Sequence, residues 1–148
     1  APLPVVPSKD FAGFSLLLVE DNAVNRKVAV GLLSRLGCEV VCAENGHEAL
    51  NMVKRQPVHL VFMDIQLPDM SGIEVTRRLR QQAGWCQQVP IIAMTASVLD
   101  SDREQCIAAG MDGYLTKPID FHELERTLSV YVDPGVDVRM SAEVPDHV

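Results

Sequence analysis

Four charged side chains and one hydroxyl occupy matching places in this sequence, each at the end of a short apolar run. Glu20 and Asp21 follow LLLV, Asp64 follows LVFM, Thr95 follows PIIAM, and Lys117 follows YLT. If the runs are strands of one parallel sheet, these residues gather at its carboxyl edge, where open sheets of this kind bind ligands. Two carboxylates about 4 Å apart repel by roughly 4 kcal/mol at an effective dielectric of about 20. Three that converge must either hold a proton or bind a cation. With no His or Cys among the donors the set suits a hard ion, and Mg2+ takes one or two carboxylates together with waters and phosphate oxygens. A carboxylate nucleophile, a metal at phosphoryl oxygens and two further donors, Lys117 and Thr95, make up the equipment of phosphoryl transfer.

Each of these residues has an ordinary reading when taken alone. One Asp at a strand end is usually a cap or loop residue, and 20–22 could be only a capping segment. Their joint occurrence, in order on the first, third, fourth and fifth strands, is what points to a site.

The elements that must position them alternate regularly. Residues 15–20 form an aliphatic strand, and Asn22 can cap a helix repeating Val24, Val28, Leu32 and Leu36 before Gly37 stops it. Residues 38–43 are a second strand, with Cys38, Val40 and Cys42 on one face as small buried groups. A helix over 46–55 buries Ala49, Leu50 and Val53. Residues 59–63 are a third strand ending at Asp64, followed by a loop with Pro68 and Gly72 and a helix through Ile73, Val75 and Leu79. Residues 81–88 read as polar connection. Residues 89–94 are a fourth strand ending at Thr95, with a helix over about 99–109 stopped by Gly110. Tyr114 and Leu115 belong to a fifth strand, and Asp120 caps a last helix over 121–131 with Leu124 and Leu128 inward.

Strict βα alternation predicts an α/β fold, a five-stranded parallel sheet flanked by five helices. The common strand order 2-1-3-4-5 sets Glu20 and Asp21 opposite Asp64. Lys117, two strand spacings away at about 10 Å, can lean across much of that gap.

Composition sets the outer bounds. The chain has 148 residues, 47% of them apolar, and a net charge of −7 with a pI near 5.0. One domain is expected over 14–132, with Pro-bearing linkers or tails at 1–13 and 133–148. No signal-peptide pattern precedes the first strand, and because the first residue is not Met the sequence reads as a piece of a longer protein. No basic run tracks a phosphate backbone, which disfavours direct nucleic-acid binding, and Arg77, Arg78 and Arg80 read as a solvated helix face. No apolar run approaches the length of a membrane span. The four cysteines form no C-x-x-C pair, which fits a reducing, cytoplasmic setting.

At these residues the sequence resembles the receiver domains of two-component response regulators, whose fold is flavodoxin-like. The motifs are LLLVEDN, LVFMDIQLPDMSG, PIIAMTAS and YLTKPI. The resemblance implies that Asp64 is the phosphoacceptor, that Lys117 pairs with phosphoryl oxygens, and that Thr95 and Tyr114 are the switch hydroxyl and aromatic. It implies Mg2+ held by the side chains of Asp21 and Asp64, by Glu20 through water or directly, and by the backbone carbonyl of Gln66. It implies a cis bond before Pro118, a type of bond that X–Pro permits, and dephosphorylation tuned by Gln66 and Ser97. The domain would catalyse its own phosphorylation and dephosphorylation. Its implied partners are a histidine kinase dimerisation/phosphoacceptor domain, a histidine phosphotransfer domain, or both, docking near Val24 and Val28.

The E-D-N-x-x-N opening and the loop after Asp64 are similar to receivers within hybrid sensor histidine kinases, whose parent protein can be anchored in the inner membrane. The receiver of a separate response regulator, with its output domain outside this sequence, is the alternative. Two other classes fit less well. A haloacid-dehalogenase phosphatase wants a second Asp where Gln66 stands. A flavodoxin-like binding module needs a Ser-, Thr- and Gly-rich phosphate loop where Glu20-Asp21-Asn22 stands.

Overall fold

The computed structural model describes residues 11–96 and 100–132. Its elements run β1 (Ser15–Val19), α1 (Ala23–Arg35), β2 (Glu39–Ala43), α2 (Gly46–Arg55), β3 (Leu60–Asp64), α3 (Gly72–Gln81), a short 3-10 turn (Gly84–Gln87), β4 (Ile91–Thr95), α4 (Asp100–Ala109), β5 (Gly113–Thr116) and α5 (Phe121–Tyr131). The five strands are parallel, in the order β2-β1-β3-β4-β5. The expected sheet is therefore the one observed.

Alternation along the strands builds two separate cores. Leu17, Val19, Val61, Met63, Ile91 and Ala93 face α2, α3 and α4, through Ala49, Val53, Val75, Leu79 and Cys106. Leu16, Leu18, Leu60, Phe62, Ile92 and Met94 face α1 and α5, through Ala29, Leu33, Leu124 and Leu128. The strands inside the sheet read as continuous hydrophobes because both of their faces are covered. β2 lies at an edge, and within it only Ala43 is buried; Cys38, just before the strand, is buried too, while Val40 and Cys42 are half-exposed.

Local signals set the helix starts. Asn22, Asn45, Ser71 and Asp120 each accept a backbone N–H of the first turn of their helix through a side-chain oxygen.

Several expectations change. The inward stripe of α1 is Ala29 and Leu33, continued by Leu36, while Val24 and Val28 are 70% and 51% exposed. The apolar repeat was present, but Ala29 marks the inner face more closely than the valines do. The 81–88 connection is not wholly polar: Cys86 is buried and Trp85 packs against the core. Phe11, assigned to the leading linker, is 0% exposed; its N–H donates to Leu36 O at 2.8 Å and its ring lies 6.2 Å from that of Phe14. Ser97, the start of the fourth helix at Leu99, and most of both terminal segments lie outside the described residues.

Arg80 is not a solvated side chain. Its guanidinium donates to Gly110 O, Cys86 O and Val89 O and pairs with Asp112 at 3.0 Å. It thereby joins the end of α3 to the 3-10 turn, the start of β4 and the end of α4. Arg77 and Arg78 do stay half-exposed, paired with Glu74. Arg80→Met should lower stability by about 2–3 kcal/mol, since three carbonyls lose a charged donor. Arg77→Ala should stay within about 0.5 kcal/mol of wild type. Urea unfolding midpoints of the two variants check this contrast.

Candidate functional site

Strand register places the acids. Val19 pairs with Met63, which brings Glu20 level with Asp64 across the β1–β3 crevice. Asp64 pairs with Met94, so Thr95 stands one residue further out, and Thr95 pairs with Thr116, just before Lys117. Lys117 N donates to Thr95 O at 2.8 Å, and the Lys117–Pro118 bond is cis as expected.

The Lys117 ammonium does span the gap. It lies 2.9 Å from Glu20 Oε1 and 3.0 Å from Asp64 Oδ2. The two buried acids are held alike. Each gives one oxygen to the shared lysine, and its other accepts a backbone N–H two residues on: Asn22 N to Glu20 Oε2, and Gln66 N to Asp64 Oδ1, both at 3.1 Å. Asp21 is exposed beside them, and one carboxylate oxygen from each of Glu20, Asp21 and Asp64 lies within 4.8 Å of the others. These residues line a cleft of about 360 Å3 together with Gln66 and Thr95. Tyr114 is not among the lining residues. It is half-buried against the core, with the Arg103 guanidinium 4.5 Å from its ring centroid.

The shared lysine affects the two acids unequally. Burial works to raise the Glu20 carboxyl, but Lys117 and the Asn22 amide outweigh it, and Glu20 titrates below its usual range. At Asp64 burial prevails over Lys117 and the Gln66 amide, the charge of Glu20 adds to it, and the carboxyl titrates high. Burial works to lower Lys117, but the two carboxylates overcome it and hold the ammonium charged. Three carboxylates and one ammonium leave two net negative charges, the charge of one divalent ion. An all-oxygen donor set of that charge fits Mg2+.

Two residues make contacts that the sequence motifs did not reveal, Arg26 just beyond one motif and Asp69 within another. Arg26 donates to the backbone oxygens of Glu20 at 2.9 Å and Asp21 at 3.4 Å, holding the turn that bears both acids. Asp69 accepts from Gly46 N at 2.8 Å and His47 N at 2.9 Å, and its Oδ2 is 2.6 Å from His47 Nδ1. Arg26 is close enough in sequence to be guessed, whereas Asp69 bridges two loops 23 residues apart and leaves no local signal.

The response regulator receiver domain family matches residues 16–129. The chain belongs to that family. This receiver domain is 37% identical over 149 residues to Histidine kinase 3 of Arabidopsis thaliana and 35% identical over 144 residues to Probable histidine kinase 4 of rice (Oryza sativa subsp. japonica). Each alignment covers 84% of this chain but only 14% of the relative, so the chain spans a small part of those proteins. Among solved structures it is similar to the receiver domain of a sensor histidine kinase from Pseudomonas aeruginosa, which has a magnesium ion coordinated in its active-site cleft. That likeness is 42% identity and a TM-score of 0.75 over 81% of this chain and 98% of the other. It is also similar to the receiver domain of Saccharomyces cerevisiae Ssk1, solved with the histidine phosphotransfer protein Ypd1. There the identity is 34% and the TM-score 0.74, over 83% of this chain and 91% of the other.

The Asp69 contacts carry a pH signature. Slight burial works to raise its carboxyl, but the amides of Gly46 and His47 and the His47 ring pull it down to about 2. A folded value below the ordinary 3.8 means that folding favours the ionised form. That stabilisation is complete above about pH 4 and is lost as pH falls through about 2. Wild type should exceed Asp69→Asn by about 1 kcal/mol at neutral pH. The gap should close between about pH 4 and pH 2, as read from unfolding midpoints across that window.

Proposed function

We propose that this receiver domain takes a phosphoryl group from a phosphohistidine onto Asp64, in a cleft that holds Mg2+. The observation that carries the proposal is the Asp64 carboxylate, buried beside a second acid and bonded to Lys117. An Asp64 oxygen attacks phosphorus in line. The P–N bond breaks, and its electron pair returns to the donor ring, which leaves as neutral imidazole because its other nitrogen carries a proton. Lys117 loses its link to Asp64 and turns its ammonium to the phosphoryl oxygens, and the Gln66 amide stays beside the reacting carboxylate. The ion would be held by Asp21 and Asp64, with Glu20 through water or directly and the Gln66 carbonyl. When bound it supplies positive charge that lets a phosphoryl group enter a pocket of acids.

Thr95, on the cleft wall one residue beyond the level of Asp64, is placed to move toward the new charge. Tyr114 then follows it inward, which requires the ring to leave its contact with Arg103. The donor docks on the exposed α1 valines, Val24 and Val28. Val28 also lines a groove of about 360 Å3 that reaches Glu20 and Lys117. The donor class is a histidine kinase phosphoacceptor domain or a histidine phosphotransfer domain, and the parent is a hybrid histidine kinase. Support comes from the histidine kinase relatives and from the Ssk1–Ypd1 complex. A cytoplasmic site belongs to the same proposal and rests on four free thiols. Among the described residues no helix is long and apolar enough to cross a membrane.

Intact-mass measurement after incubation with a small phosphodonor tests the chemistry. One phosphoryl group should be added with Mg2+ and none without it, and Asp64→Asn should stay unmodified; uptake by that variant would remove Asp64 from its role. Thr95→Ala should still be modified, but amide exchange at Tyr114 should no longer differ between its free and modified forms.

A further inference from the structure

Asp69 sits in the loop between Asp64 and α3 but is not among the residues lining the acidic cleft. Its carboxylate instead takes two backbone amides at the start of α2, Gly46 N and His47 N. The helix has a cap of its own, since Asn45 Oδ1 accepts Glu48 N at 2.8 Å. So one start of a helix is served by two acceptors, one local and one belonging to the loop that carries Gln66.

That loop is closed at its base, where Gly72 N donates to Ile65 O at 2.8 Å. Its far end rests flush on α2: a Cβ at Gly46 would lie 2.6 Å from Met70 Cγ and 2.8 Å from Val75 Cγ2. Between the two fixed ends lie Gln66, Leu67 and Pro68, and within that span the Gln66 amide reaches back to Asp64 Oδ1. A short segment held at both ends has few conformations left to it, and a ligand borne on it loses little freedom on binding. Freed at one end, the same segment must be ordered by whatever binds it.

We propose that Asp69 is a positioning residue for the cation site. By tying the loop to α2 it holds the backbone at Gln66 within reach of an ion in the acidic cleft. This rests on the Mg2+ reading given above. Groups that orient metal-bearing segments in this way typically account for about tenfold or more in affinity.

The test compares wild type, Asp69→Ala, Asp69→Asn, Asn45→Ala and Asp64→Asn. Mg2+ is titrated by calorimetry, with Mn2+ read by electron paramagnetic resonance, and exchange of the Gln66 amide is followed without metal. Asp69→Ala should bind Mg2+ about tenfold more weakly and exchange the Gln66 amide faster. Asp69→Asn, which keeps one acceptor oxygen, should fall between it and wild type. Asn45→Ala removes the local cap of the same helix and should lower the melting temperature while leaving both readouts unchanged.

Equal Mg2+ affinity in Asp69→Ala, Asp69→Asn and wild type would overturn the proposal and leave Asp69 a second helix cap. An Asn45→Ala variant that weakens binding as much as Asp69→Ala would also overturn it. If Asp69→Ala does not fold, the comparison of Asp69→Asn with Asn45→Ala decides. Absence of saturable Mg2+ binding in wild type, or equal binding in Asp64→Asn, would instead bring down the metal reading itself.

Discussion

Two carboxylates buried at the end of a parallel sheet repel one another, and water is too scarce there to screen them. Lys117 is the group that makes the arrangement stable without a metal, because its ammonium reaches both Glu20 and Asp64. It can do so only because β5 stands two places from β3 and because the lysine leaves the strand just beyond the level of Thr95. The reach of the lysine to both acids thus depends on sheet order, on the register of β1 on β3 and on the length of one side chain. A lone lysine still leaves three carboxylates with a net negative charge, which a further cation would offset.

The near-identical bonding of Glu20 and Asp64 shows how unequal roles arise from equal partners. Each gives one oxygen to lysine and one to an amide two residues on. Glu20 nevertheless titrates low and Asp64 high, because burial wins at one and loses at the other. Asp64 is accordingly the acid less firmly committed to its negative charge. Asp21 stays exposed at the rim.

The gathering of these residues at one sheet edge was legible because each ends a hydrophobic run, and runs are what a covered parallel sheet imposes on a sequence. The parallel sheet followed from βα alternation, its order from the one common for five such strands, and helix starts from Asn22 and Asp120. What stayed hidden depended on distant partners. Arg80 looks like its neighbours Arg77 and Arg78, and only the fold brings the carbonyls of Gly110, Cys86 and Val89 around it. Phe11 lies among prolines and small residues that carry no period, yet it fills a space beside Phe14 and Leu36. The inner face of α1 was misplaced because Ala29, a small residue, marks it, while larger valines lie outside.

Arg80 also divides the molecule mechanically. It grips the carboxyl end of α4 through Gly110, at the edge of the sheet opposite the acids, with Asp112 adding a link to Ile91 N. In the chain, α4 follows β4, the strand that ends at Thr95. A helix fastened at one end can swing only about that end, so a displacement of α4 would be widest at its amino terminus and would die away toward Gly110. The guanidinium would then be a fulcrum, holding the base of the sheet still while the far end of the helix tilts.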